Sequence, residues 1–413
     1  MPAVTLETLN IRSIRELELS NRRVLLRCDF NTPLDEDGAV SDNSRIAAVL
    51  PTIAHIQQAG GRVICCSHLG RPKGKKDPKF SLEPVAEALA ELTGQEVLLP
   101  DDCIGDAAEH LIANQRSNQI VLLENLRFQP GEEQNSDDLA RKLADLCDVY
   151  VNDAFGALHR AHASVSALPK MMIDRAAGLL IERELSFLGD LVGGAPAPYI
   201  AIVGGAKISG KIEILEALLE VVDGVIIGGA MANTFLAAQG HEMGGSLMES
   251  DRIPLARHLL KRFADKGVAV WLPVDMLCVE HVDASAATQV ERVGSLSAAQ
   301  KAVDIGPETI ALFTSVIDGS VEGGPGVPRT VFWNGPMGIF EIDAFANGTL
   351  SVARALARSS ATSVIGGGDS AAAAKKAGVS EMISHISTGG GASLEFLSGA
   401  QLPGLAALRG GRR

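Results

Sequence analysis

Short, β-branched, almost continuously apolar runs punctuate the chain from end to end, and helical patterns lie between them. "RVLLRC" (23–28), "RVICCS" (62–67), "NQIVLLE" (118–124) and "CDVYVND" (147–153) occupy the first half. "PYIAIVGG" (198–205), "GVIIGG" (224–229), "VAVWLPV" (268–274), "TVFWNG" (330–335) and "TSVIGGG" (362–368) occupy the second. Runs that do not alternate apolar with polar residues suit strands buried on both faces, as in a parallel sheet. Intervening segments such as "NSRIAAVLPTIAHIQQAGG" and "SLEPVAEALAEL" space their apolar residues as amphipathic helices do. This alternation predicts an α/β protein made of doubly wound parallel sheets.

A chain of 413 residues is too long for one ordinary core, so two domains are expected. The best boundary lies in "AGLLIERELSFLGDLVGGAPAPYIAIV". An amphipathic helix over about 178–192 should end at Gly193-Gly194, and the Ala-Pro-Ala-Pro that follows marks a turn before a new strand. The expected division is 1–177, a connecting helix and linker over 178–197, 198–390, and a terminal segment 391–413 packing back toward the first domain. The tail "LRGGRR" (408–413) is basic and expected to be loose.

Composition narrows the function. A net charge of −13 argues against nucleic-acid or anionic-membrane binding through bulk charge, and 4% aromatic residues argue against base-stacking platforms. Any anionic ligand must meet a local basic cluster on an acidic background. The start "MPAVTLETLN" lacks the basic and apolar regions of a secretory signal. The most apolar stretch, "GVIIGGAMANTFLAAQG" (224–240), is glycine-broken and shorter than the roughly 20 residues of a membrane span. Six cysteines without a CxxC pair fit a reducing compartment, with Cys65 and Cys66 in a buried strand. A cytoplasmic protein is expected.

"GGAKISGKIEIL" (204–215) matches the phosphate loop G-x-x-x-x-G-K-[ST] at Gly205, Gly210 and Lys211, but Ile212 stands where the Mg²⁺-ligating hydroxyl belongs. Three further glycine turns, "IGGAMAN" (227–233), "IGGGDS" (365–370) and "STGGGASLEFL" (387–397), each lead into a helical pattern. Backbone N–H groups at such turns favour phosphate. One turn is weak evidence, because tight strand–helix turns need glycine anyway; four suggest a nucleotide laid across them. Lys207 and Lys211, four apart, are expected on one face of the helix that "AKISGKIEIL" starts. Asp369 reads both as a helix N-cap and as a Mg²⁺ ligand, and the two roles are compatible. The loop match is therefore a coincidence of spacing, with phosphates held by lysines and separate glycine turns.

The first half carries basic residues at strand ends. Asp29 and Asn31 follow the first strand, His68 and Arg71 the second, Arg127 the third, and His159, Arg160 and His162 the fourth; Arg45 opens the helix after "SDNS". The carboxyl ends of strands in an open α/β sheet line one crevice, where Arg and His together would bind an anion with several oxygens. Any one of these arginines alone reads better as a surface residue.

The motifs "RCDFNTP", "SHLGRP", "LLENLRF", "YVNDAFGALHRAH", "GGAKISGK", "VFWNGPMGIFE", "GGGDS" and "STGGGASLE" together resemble the phosphoglycerate kinase family, in order and spacing, from about residue 5 to about 400. The resemblance implies two Rossmann-like doubly wound domains joined by a helix and hinge, the first binding phosphoglycerate and the second the nucleotide. It implies reversible phosphoryl transfer between 1,3-bisphosphoglycerate and ADP, giving 3-phosphoglycerate and ATP, with Mg²⁺, in a monomer of glycolysis, gluconeogenesis or carbon fixation. By motif, Asp29, Asn31, Arg45, His68, Leu69, Gly70, Arg71, Arg127 and Arg160 would hold the phosphoglycerate. Gly205, Lys207, Lys211, Asn334, Glu341, Gly367, Gly368, Asp369 and Ser370 would hold the nucleotide, with Asp369 on the metal and Glu341 on the ribose. Arg45, Lys207 and Lys211 would act on the transferring group.

Departures from the family pattern are Cys28 and Thr32 in place of valine, Ser370 in place of threonine, Ala230 in place of a third glycine, and Leu158 in place of a smaller residue. None removes a charged group. Transfer to a carboxylate needs no catalytic base, only in-line positioning and charge neutralisation, with closure of the domains excluding water. A non-catalytic nucleotide-binding or interaction protein on the same scaffold is the alternative, and a nicotinamide-dependent dehydrogenase lacks its G-x-G-x-x-G fingerprint.

Overall fold

The computed structural model describes residues 3–410, and the end of the basic tail "LRGGRR" lies outside them. The chain divides into two compact units, one holding Val4–Ser186 and the segment from Ala400 on, the other Phe187–Gly399 with Ala3. The division falls inside a helix, Leu179–Gly193. The segment 391–413, expected as one piece, is split: helix Gly391–Leu397 lies in the second unit and helix Pro403–Leu408 in the first.

The first unit holds strands β1 (Arg23–Arg27), β2 (Arg62–Cys66), β3 (Glu96–Leu98), β4 (Gln119–Leu122), β5 (Val149–Asn152) and β6 (Arg175–Ala177). They form one parallel sheet in the order β3-β4-β2-β1-β5-β6. Val24, Leu26, Val63, Cys65, Ile120 and Leu122 pack with Ile46, Val49, Ile53 and Ile56 of helix Ser44–Gln58 and with Val85 and Leu89 of helix Glu83–Thr93. The alternate residues Leu25, Ile64 and Val121 are equally buried, so both sheet faces are covered. That two-sided burial is why the runs read as continuous rather than alternating. Gly404 of the last helix fits against Leu158 and Val165, where a Cβ would come within 2.6 Å of Leu158 Cδ2.

The second unit holds β7 (Tyr199–Val203), β8 (Gly224–Ile227), β9 (Ala269–Trp271), β10 (Asp275–Val279), β11 (Gln289–Arg292), β12 (Lys301–Ile305), β13 (Thr330–Asn334), β14 (Thr362–Gly366) and β15 (His385–Ile386). Six of them form a parallel sheet, β9-β8-β7-β13-β14-β15, with the switch of direction between β7 and β13. This is the doubly wound dinucleotide-fold order. Ile200, Ile202, Val331 and Trp333 pack with Phe313, Val316 and Ile317 of helix Pro307–Asp318 and Val352 and Leu356 of helix Asn347–Arg358.

The sequence reading missed β10, β11 and β12, which form a separate antiparallel sheet. β11 is "QVER", largely exposed, and carries no continuous apolar run to betray it. The short strands β3, β6 and β15 were also missed; two or three residues are too few for a period to register. Cys65 and Cys66 are buried in β2 as expected, and all six cysteines are free. Among the described residues, no helix is long and apolar enough to cross a membrane.

Candidate active site

In the first unit the loops leaving β1, β2, β4 and β5 all emerge at the carboxyl edge of the sheet and tie to one another. Phe30 N–H donates to Ser67 Oγ (2.8 Å), and Gly70 N–H donates to Asn31 Oδ1 (2.8 Å). Asn125 Nδ2 donates to Leu69 O and Phe80 O, each at 2.8 Å, and Arg127 Nη1 donates to Gly70 O (2.6 Å). Gly70 must be glycine: its φ is +60°, and a Cβ would sit 2.4 Å from the Phe80 ring. Arg45, second residue of helix Ser44–Gln58, donates to Asp29 Oδ2 (2.5 Å). The other oxygen of Asp29 lies 4.0 Å from His68 Nδ1.

Beneath these groups lies a side chain that the sequence reading passed over. Arg27, the last residue of β1, is fully buried and reaches Cys28 O, Ser164 Oγ (2.8 Å) and His68 Nδ1 (3.3 Å). Its countercharge is Glu132, also fully buried, 4.0 Å from Arg27 Nη2 and accepting from Ser164 N–H (2.9 Å) and Oγ–H (2.5 Å). The signal was available. A charged residue closing an apolar strand cannot be buried unless it is paired.

The electrostatics show that the basic groups converge. Burial, then the charges of Arg27, Arg127, His162 and Arg160, hold His68 well below the usual histidine range. Burial and the same arginines push His162 down to about 4. Both rings are therefore neutral at pH 7, while burial and the charges of Arg160 and Arg27 also lower Arg127. Arg160 is half-buried and donates Nε–H to His159 Nε2 (3.1 Å). Arg71 is exposed at the end of the His68 loop. The product is a set of guanidinium groups of fixed charge with neutral imidazoles between them, suited to an anion rather than to a metal cation.

In the second unit the loops after β7, β8 and β13 meet backbone to backbone. Gly205 N–H donates to Pro336 O (2.9 Å), Gly229 N–H to Met337 O (3.1 Å) and Met231 N–H to Gly205 O (3.0 Å). No side chain would fit: a Cβ on Gly204 would lie 2.2 Å from Pro336 O, and one on Gly335 2.2 Å from Gly204 O. Lys211 Nζ donates to Asn334 Oδ1, and Asn334 Nδ2 donates to Gly366 O (2.7 Å). Ser370 Oγ accepts Gly335 N–H (2.6 Å), and Gly367, at φ +88°, leaves only 2.7 Å between a would-be Cβ and Asn334 Nδ2. Burial lowers the Lys211 ammonium, and the nearby charge of Asp369 opposes that shift. Gly205, Lys211, Asn334, Gly367, Asp369 and Ser370 thus stand together, with Gly368 and Asp369 facing solvent.

Two local expectations are corrected. Lys207 and Lys211 do not share a helix face, because the helix starts at Ile212; Lys211 is its N-cap residue and Lys207 lies in the preceding loop. Gly210 follows Ser209, whose N–H is taken by Glu249 Oε2 (3.0 Å), and the chain turns there before the helix can begin. Asp369 is not an N-cap either: Gly367 caps helix Gly368–Lys376, and Asp369 sits in the first turn with its carboxylate exposed. Lys207 and Glu341 are both exposed, and no hydrogen bond among the described residues ties them to the Lys211 group.

Comparison with known proteins agrees over nearly the whole length. The family model described as phosphoglycerate kinase matches residues 14–400. A phosphoglycerate kinase of Anaeromyxobacter sp. (strain Fw109-5) is 48% identical over 403 residues, 97% of this chain and 100% of its own. That of Moorella thermoacetica is 50% identical over 396 residues, 96% of this chain and 98% of its own. Among solved structures, phosphoglycerate kinase from Coxiella burnetii superposes with a TM-score of 0.85 at 37% identity, covering 96% of this chain and 98% of that one. The enzyme from Pyrococcus horikoshii gives 0.81 at 31% identity with the same coverage. With its motifs, its two parallel-sheet units and near-complete alignment all in agreement, the chain belongs to the phosphoglycerate kinase family.

Proposed function

We propose that the first unit binds the phosphoglycerate and the second the nucleotide, and that the enzyme's reversible phosphoryl transfer runs between them. The observation that carries this assignment is the contrast in donors. Guanidinium groups and neutral imidazoles gather at the strand ends of one unit, and glycine backbone with one half-buried lysine gathers at those of the other.

Arg127, Arg160 and Arg71 would neutralise the carboxylate and phosphate of the glycerate, while Asn31, Leu69 and Gly70 fix the loop that presents them. Asp29 holds Arg45 by a charge-assisted hydrogen bond, so that this guanidinium is pre-oriented for the moving phosphoryl group. Lys211, poised by Asn334, would neutralise the same group from the nucleotide side, with Lys207 near the phosphates. Because the acceptor is a carboxylate, no residue needs to take a proton. The two ligands are held by different units, so transfer requires them to be presented to each other during turnover.

The residues fit Mg²⁺. Asp369 keeps an exposed carboxylate in the first turn of its helix, beside the Lys211 charge, and Ser370 and Gly368 adjoin it. Magnesium typically takes one or two carboxylates together with substrate phosphates, and bound there it would spread the negative charge of the nucleotide's phosphates. Glu341 would accept from the ribose. A cytoplasmic monomer is the setting we infer for this activity.

The test is ATP-dependent acyl phosphate formation from 3-phosphoglycerate, trapped with hydroxylamine, for the parent and Arg45→Ala. Turnover largely lost in the variant while ADP still binds supports the assignment. Undiminished turnover would remove Arg45 from the reacting centre.

A further inference from the structure

The segment 71–79, "RPKGKKDPK", leaves the His68 loop and carries five basic residues against one acidic residue, in a chain whose net charge is −13. Arg71, Lys73, Lys75, Lys76 and Lys79 are all exposed. Among the described residues none of the five makes an ion pair. Asp77, the one acid, is turned inward on its own backbone, capping the short helix Pro78–Phe80 through Lys79 N–H (3.0 Å). Of the neighbouring carboxylates, Glu133 lies 3.5 Å from Arg127 Nε and Asp102 accepts Gln129 Nε2–H (2.9 Å), while Asp101 is exposed beside Lys76.

The backbone of this segment is fixed. Gly70 is locked under Phe80 and by Asn31 and Arg127. Gly74 N–H donates to Arg127 O (3.1 Å), and a Cβ at Gly74 would come within 3.1 Å of Pro130. Lys76 Nζ donates to Asp101 O (2.8 Å), and Lys73 takes a left-handed turn at φ +58°. Two of these anchors are the residues that seat Arg127. The lysines are therefore held at a constant place relative to the phosphoglycerate groups, rather than on a freely moving loop.

We propose that Lys73, Lys75, Lys76 and Lys79 form a basic rim that draws the phosphoglycerate substrates to this unit by long-range attraction, without contacting the reacting groups. This rests on the reading that the first unit holds the phosphoglycerate. Ligands with three or four negative charges gain most from such a field, because the attraction scales with the product of charges. The rim also answers a problem set by composition: an acidic protein repels its anionic substrate everywhere except where a local positive field prevails.

The experiment compares the parent enzyme with a triple variant, Lys73→Asn, Lys75→Gln and Lys79→Gln, and with Lys75→Glu alone. Asparagine is chosen at 73 because it tolerates the left-handed backbone. KM and kcat for 3-phosphoglycerate and for ATP are measured across ionic strengths from about 0.01 M to about 0.1 M, over which the screening length falls from roughly 30 Å to 10 Å. In the triple variant KM for 3-phosphoglycerate should rise about three- to tenfold at the low-salt end and by less than about twofold at the high-salt end. Its kcat, its KM for ATP and its melting temperature should match the parent. Lys75→Glu should shift KM in the same direction with a shallower salt dependence than the parent.

An unchanged KM at low salt, a rise that salt does not diminish, or an equal rise in KM for ATP would each overturn the proposal. Arg127→Ala separates this failure from that of the underlying reading. If Arg127→Ala weakens 3-phosphoglycerate and the triple variant does not, the rim alone is wrong. If Arg127→Ala leaves 3-phosphoglycerate kinetics untouched, the rim falls together with the assignment of the glycerate to this unit.

Discussion

The two units share one construction plan, a six-stranded parallel sheet covered on both faces, yet they present opposite kinds of chemistry at their strand ends. In the first, we assign anion binding to side chains, Arg127, Arg160 and Arg45, with Arg27 and Glu132 buried beneath. In the second, Gly204, Gly229, Gly335 and Gly367 pack too closely for any Cβ and draw the loops together, and we assign the charge to Lys211. The first arrangement needs internal countercharges, because buried guanidinium groups are stable only when paired. The second carries one half-buried ammonium, Lys211, with the charge of Asp369 nearby, on loops whose placement the close-packed glycine backbone fixes. A side-chain site is therefore vulnerable to loss of charge, and a backbone site to gain of volume.

The largest effects should come from the charges assigned to the transferring group. Arg45→Ala and Lys211→Ala are each expected to lower turnover about 10²- to 10³-fold, as for loss of a single oxyanion donor. Hydroxylamine trapping of the acyl phosphate measures this. Arg45→Ala should spare ADP binding and Lys211→Ala should spare 3-phosphoglycerate binding; a variant that weakened both ligands would break the contrast between the units.

Next comes the countercharge. Glu132→Ala strands the buried Arg27 guanidinium, and breaking such a pair typically costs about 3 kcal/mol or more. Thermal unfolding should register a large fall. Gly335→Ala probes the other unit: a methyl 2.2 Å from Gly204 O at a residue of φ +98° should cost about 2 kcal/mol and weaken ADP while leaving 3-phosphoglycerate binding intact. Loss of affinity for the glycerate instead would contradict the assignment.

The smallest effects concern pH, and within the first unit they have opposite signs. His162 titrates near 4 in the folded chain, below its ordinary value of about 6.5. Its contribution is present above about 6.5 and lost as pH falls toward 4, because only the unfolded chain takes up the proton in that window. Asp153 is raised to about 7 by burial while accepting from Thr52 Oγ1 (2.5 Å) and from Leu180 N–H (2.9 Å) in the first turn of helix Leu179–Gly193. There the folded chain keeps a proton that the unfolded one has released, so this group's contribution declines as pH rises from about 4 through about 7. Melting temperature measured against pH should therefore lose part of its acid limb in His162→Gln and part of its decline toward neutrality in Asp153→Asn. Unchanged slopes would show that neither group titrates as described.

What the sequence could announce depended on how locally each feature was encoded. Strands β1, β2, β4, β5, β7, β8, β9, β13 and β14 were legible because burial on both faces writes a continuous apolar run. Glycine turns were legible because a positive φ or a close backbone approach leaves few alternatives. β11 was not, since an exposed antiparallel strand such as "QVER" has no such signature. Nor was the start of the helix at Ile212, because the turn before it is set by contacts with Glu249 and Asn334, residues far along the chain.

By itself, then, the sequence determined the alternation of strands and helices, the strand-end position of Asp29, Arg127, Arg160 and Asp369, and the family motifs that carry the activity. Only the tertiary structure decided that Arg27 and Glu132 lie buried as a pair, that His68 and His162 are neutral, that Lys211 rests on Asn334, and that the lysines of 71–79 stand on a fixed backbone. The physical reason is that period and composition follow from which face of an element is buried, whereas charge state and side-chain partnership depend on neighbours brought together only when the sheets assemble.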